Sequence, residues 1–157
     1  ENLMFSTEDF ENIHWHDNAI HGFHILEGDT CGEVVFDIDY ITEWLPPVND
    51  AFSFRVAPSD LTFHEVSDLV VSVNYAAASA AVQPMTIREI HREVVNYPNG
   101  YSSFAWEIEL NWPPNSFFKF CSNGFTQIQR MEPVTTGAQY LSPLERKIAL
   151  SQETPDN

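Results

Sequence analysis

Glu33-Val34-Val35-Phe36-Asp37-Ile38-Asp39-Tyr40-Ile41-Thr42-Glu43-Trp44 is the stretch on which the fold turns. Val34, Phe36, Ile38, Tyr40 and Trp44 share one parity, while Glu33, Asp37, Asp39 and Glu43 share the other, interrupted by Val35 and Ile41. A strand sorts alternate side chains onto two faces, whereas a helix would mix both sets around its circumference. The segment reads as a strand with its apolar side chains inward and its carboxylates toward water.

Upstream, Ala19 to Leu26 reads as a second strand, joined to the first through the turn Gly28-Asp29-Thr30-Cys31-Gly32. Downstream, Pro46-Pro47 is expected to stop the strand because neither proline can donate to a ladder. Phe52, Phe54 and Val56 resume the alternation, Ala57-Pro58-Ser59-Asp60 breaks it, and Leu61 and Phe63 take it up again. Leu69, Val71, Val73 and Tyr75 give a further apolar face. Ala76 to Ala81 is either a short helix or a small-residue crossover.

In the second half, Ile87 to Val95 is helical by propensity. The Asn99-Gly100 turn, followed by Phe104, Trp106, Ile108 and Leu110 alternating against Glu107 and Glu109, favours a hairpin instead. Trp112-Pro113-Pro114-Asn115 turns the chain into Phe117 to Cys121. Ser122-Asn123-Gly124-Phe125 predicts a tight turn into Thr126 to Met131, of type I′ because Asn and Gly tolerate positive φ best. Ser142-Pro143-Leu144-Glu145 opens a helix with a capping serine, a proline in the first position and a glutamate three after the cap. That helix should run to about Leu150, ahead of a loose polar tail, 151 to 157. The fold class is mostly β, an antiparallel two-layer sandwich or strongly curled sheet with a short C-terminal helix. A single domain spanning 1 to 157 is expected, its ordered core running from about 14 to 150.

The chain has 157 residues, 43% of them hydrophobic, enough for one domain with its own core. Its 23 Asp and Glu against 7 Lys and Arg give a net charge of -16, which should repel phosphate backbones and argues against nucleic-acid binding. The charge is uneven: residues 1 to 68 hold 15 carboxylates against Arg55 alone, or -14, and residues 69 to 157 hold 8 against 6 basic side chains, or -2. Cys31 and Cys121 lack C-x-x-C spacing, so two reduced thiols are expected ahead of a single bridge. No apolar run has the roughly 18 to 20 residues of a membrane-spanning helix, and the expectation is a soluble cytoplasmic protein with no membrane contact.

His14-Trp15-His16-Asp17-Asn18-Ala19-Ile20-His21-Gly22-Phe23-His24 concentrates four of the six histidines. Imidazole beside a carboxylate suits zinc or iron, so His14, His16, Asp17 and His21 form the candidate metal set of an alternative reading, a metal-dependent enzyme. Strand geometry counts against it, because His21 and His24 are three apart and point to opposite faces. The string matches neither H-E-x-x-H nor H-x-H-x-D-H, and the favoured reading is a His16–Asp17 hydrogen-bonded pair at the strand entrance, with no cofactor. Asp37 and Asp39 have the roughly 6 to 7 Å spacing of paired glycosidase carboxylates but none of the asymmetry that splits two pKa values. A solvated acidic face of Glu33, Asp37, Asp39 and Glu43, available to a basic protein partner, is the better expectation. No G-x-S-x-G, serine-lysine or glycine-rich phosphate motif is present.

The strings His16-Asp17-Asn18-Ala19-Ile20-His21-Gly22, Asp37-Ile38-Asp39-Tyr40-Ile41-Thr42-Glu43-Trp44, Phe54-Arg55-Val56-Ala57-Pro58 and Leu110-Asn111-Trp112-Pro113 together resemble a family of small uncharacterised bacterial proteins. The likeness spans about residues 14 to 150 and implies no activity. More distantly, a His-Asp pair opening one strand and a Phe-x-x-Val segment entering another are similar to immunity-like proteins of bacterial toxin systems. That resemblance implies a stoichiometric inhibitor whose acidic face meets a basic toxin domain.

Overall fold

One strand of 22 residues, β4 (Ala51–Ser72), organises the molecule. The computed structural model describes residues 3–76 and 83–146. These form a 9-stranded antiparallel sheet: β1 (Leu3–Ser6), β2 (Ala19–Leu26), β3 (Gly32–Val48), β4, β5 (Met85–Asn96), β6 (Ser102–Trp112), β7 (Phe117–Ser122), β8 (Gly124–Gln129) and β9 (Val134–Thr136). The order is β1-β8-β4-β3-β2-β5-β6-β7, and β9 also pairs with β4. β7 returns to β4 as well, so β4 pairs with β8 through Ser59 to His64 and with β7 through Ser67 to Ser72. Glu65 (φ 50), between those stretches, and Asp68 (φ 54), where the β7 ladder slips register between Ser67 and Val70, take the left-handed conformation, which bends the strand. Of the two architectures compatible with the pattern, the molecule is the strongly curled sheet.

β2 occupies the span read from sequence, and β5 and β6 form the expected hairpin. At its tip the Gly100 N–H donates to the Tyr97 carbonyl (3.0 Å), and Gly100 supplies the left-handed residue (φ 85).

Three expectations at proline and glycine fail. β3 does not stop at Pro46-Pro47: it runs on to Val48 and turns at Asn49 (φ 53) and Asp50 (φ 62), a pair of left-handed residues that suits a type I′ hairpin. The register slips between Leu45 and Val48, so the prolines lie at an irregularity where a missing donor is tolerated. Pro58 does not break β4, because it falls between the stretches paired with β9 and β8. Asn123-Gly124 is no hairpin turn: β7 and β8 follow one another along β4, and neither residue takes positive φ. Gly124 is there for close approach, since an added Cβ would overlap the Thr7 hydroxyl. That hydroxyl accepts the Phe125 N–H at 3.0 Å.

The main core gathers Trp15, Phe36, Phe63, Trp106, Phe118 and Phe125 with the aliphatic side chains around them. The indole N–H groups of its two tryptophans are satisfied: Trp15 donates to Gln127 Oε1 and Trp106 to the Ser122 carbonyl, each at 2.9 Å. Met4, Phe5 and Phe10, from β1 and the 3-10 helix Thr7–Asn12, pack against this core, so the packed chain begins ahead of residue 14. A smaller, separate cluster holds Ile41, Phe54, Val56 and Leu141, with Val134 against it. Residues 143–146 form the start of the C-terminal helix, with the expected reciprocal cap: the Glu145 N–H donates to Ser142 Oγ (3.2 Å) and the Ser142 N–H to Glu145 Oε1 (2.9 Å). Residues 147 to 150, over which the helix is expected to continue, the tail, and the alanine stretch from 77 to 81 lie outside the described residues.

Candidate functional site

The middle of β3 is buried on both faces, which corrects the expectation of one solvated acidic row. Phe36 and Ile38 face the main core, and Asp39, on the other face, is also fully buried. Asp37 is half-buried with 33% of its side chain exposed, Glu33 is partly exposed and pairs with His64, and Glu43 is exposed. Trp44 departs from its expected inward parity. A register slip between Ile41 and Glu43 puts its ring against Phe54 of the smaller cluster (centroids 4.9 Å apart) and leaves it 56% exposed.

Returning chain covers the acids. Asp39 Oδ2 accepts the Leu141 N–H at 2.8 Å and lies 2.7 Å from His21 Nε2, while Asp39 Oδ1 accepts from Arg146 Nη1. Arg146 Nη2 donates to Asp37 Oδ1 at 2.5 Å, and Arg130 Nη2 reaches the same oxygen at 2.5 Å. The Arg146 guanidinium therefore forks across two carboxylates two positions apart on one strand face, a planar match that lysine cannot make. His21 reaches Asp39 because β2 slips register between Ile20 and Gly22, leaving His21 as the extra residue of a bulge.

Asp60, opposite Asp37 on β4, lies 3.5 Å from Arg130 Nε. Its pKa is raised, chiefly by burial; Arg130 counteracts the rise and the Asp37 charge adds to it. A carboxyl whose pKa is higher in the fold than in the unfolded chain favours folding at low pH. That contribution is lost as pH rises from the ordinary value of 3.8 through the raised one. Asp60→Asn is therefore expected to flatten this falling limb in a plot of Tm against pH. At neutral pH it should cost less than about 0.5 kcal/mol, because the Arg130 contact it loses is partly solvated.

The structure does not assemble the alternative metal set. His14 and His16 are exposed, His16 Nδ1 pairs with Asp17 Oδ1 at 3.1 Å as expected, and His21 faces Asp39. Among the described residues no three His, Cys, Asp or Glu side chains are placed to share an ion. His14 and His16 instead line a shallow recess of about 450 Å³ with Phe10, Glu11, Arg88 and Glu89. Cys31 and Cys121 are free thiols, and burial raises the Cys121 pKa, the opposite of what an activated nucleophile needs. Among the described residues no helix is long and apolar enough to cross a membrane.

Sequence reasoning missed Arg130, Arg146, Leu141 and Asp60. The available signal was the charge imbalance, since carboxylates facing a core need cations and only Arg55 lies in the first half. Compared with protein-family models, with curated proteins and with solved structures, the chain gives no significant match.

Proposed function

We propose that this is a non-enzymatic acidic binding module that takes a basic protein partner, the role implied by its resemblance to immunity-like proteins. The observation that carries the reading is the β3–β4 ribbon beyond Thr42. There Trp44, Val48 and Phe52 are 56%, 69% and 65% exposed, beside exposed Glu43 and Asp50. Exposed apolar side chains on one ribbon together with exposed acids suit a protein interface, and the overall charge of -16 would steer a basic partner toward it. Asp37 and Asp39, already joined to arginines of the same chain, are removed from the accessible face in this state.

Trp44 is a built-in reporter, because it is exposed whereas Trp15 and Trp106 are buried and Trp112 is partly buried. Titration with a peptide rich in arginine and apolar residues is expected to change Trp44 fluorescence, with an association rate that falls steeply with salt. Glu43→Gln with Asp50→Asn should slow association severalfold, and Phe52→Ala should speed dissociation. Association indifferent to salt and to these substitutions would remove the reading.

A further inference from the structure

The segment from Pro133 to Arg146 is tied to the body at few points. β9 makes three residue pairs with Phe54 to Val56, Leu141 fills the smaller cluster, and Arg146 forks across Asp37 and Asp39. None of its side chains belongs to the main core. Segments with few apolar anchors open at less cost than the whole fold, so this strap can lift while the main core stays intact. Lifting it would uncover an apolar floor of Ile41, Phe54 and Val56, bordered by the two aspartates and running without a break onto Trp44, which touches Phe54.

We propose that the strap is an internal occupant of the partner's groove. A basic partner binds by displacing it, seating an apolar side chain where Leu141 sits and, five positions on, an arginine where Arg146 sits. Three features of the strap's own seat define this occupant. The floor is apolar and excludes a charged side chain in the Leu141 position. The paired carboxylates match a guanidinium fork and not an ammonium. The surrounding field is acidic and disfavours a second acidic chain. The inference rests on the basic-partner reading and names the recognition element within it.

The test uses the full chain and a peptide with the sequence of residues 133–146. Arg146→Gln is expected to bind this peptide at least about tenfold more tightly than the unaltered protein. Leu141→Ala, which frees the strap without touching a charge, should do the same. Replacing the peptide's arginine by lysine should abolish the gain. In both variants hydrogen exchange should speed up at the residue 141 amide while the Phe36 and Ile108 amides stay slow, which shows that the core is folded. Equal affinity for all three proteins, or equal binding of the lysine peptide, overturns the proposal. So does a dimer formed by strap exchange, seen by light scattering, since the occupant would then be a second copy. If the Glu43 and Asp50 substitutions alter salt-dependent association while strap release changes nothing, only the strap proposal fails. If strap release acts and those substitutions do not, the partner docks through the strap's seat, and the ribbon beyond Thr42 fails as the observation that carries the reading.

Discussion

Phe36→Ala is expected to lower unfolding stability by about 3–5 kcal/mol, the range for deleting a large buried aromatic side chain. Phe36 is fully buried on β3 and its ring meets four others: Phe118 at 5.0 Å, Phe63 at 6.0 Å, Phe23 at 6.1 Å and Phe120 at 6.4 Å. Those rings come from β2, β4 and β7, so this one side chain links the strands on which the sheet curls back. Each neighbour is fixed by its own strand and cannot move in to fill the void, which places the cost at the upper part of the range. Phe23→Ala is the control. That ring meets only Phe36 and Phe118 and is 37% exposed, and its loss should cost less than half as much. Urea unfolding with unchanged m-values would measure both, and equal costs would show that Phe36 is not the hub of the packing.

The outcome at β3 shows what a period of two conveys and what it leaves out. Alternation put Val34, Phe36, Ile38 and Tyr40 on one face correctly, because it follows from the pleat alone. It could not say what covers the opposite face. Asp39 is buried by Arg146, 107 positions away, and a carboxylate awaiting such a partner looks in sequence like one awaiting water. The slips at His21 and after Ile41 were equally hidden, since a bulge shifts the phase of a pattern without altering its composition. Ser142 and Glu145 were legible because a capping box is complete within four residues. Asn123-Gly124 misled for the converse reason. Its glycine answers to Thr7, a contact between distant positions, and not to the local turn chemistry that the dipeptide advertises.

Asp39→Ala should be the most damaging single charge change in the described molecule, at about 3–5 kcal/mol. It strips acceptors from the Leu141 N–H and from a guanidinium whose side chain is only 14% exposed, and a buried donor left without an acceptor carries its full desolvation cost. The exposed pair Arg88–Glu109, 3.5 Å apart, sets the contrast: Glu109→Gln should cost about 0–1 kcal/mol, because water replaces the partner it loses. The decisive comparison is Asp39→Ala in an Arg146→Met background. With the cation already gone, no unpaired charge remains to be stranded, and the strap is already loosened, so removing the carboxylate should add little. A shortfall from additivity of about 2 kcal/mol or more in this double-mutant cycle would locate the energy in the pair, where two residues in one network are expected to couple. Strict additivity would mean that Asp39 is held by His21 and the Leu141 amide alone. Arg146 would then rest on the surface of the strap without fastening it, and the strap's attachment would reduce to β9 and the Leu141 side chain.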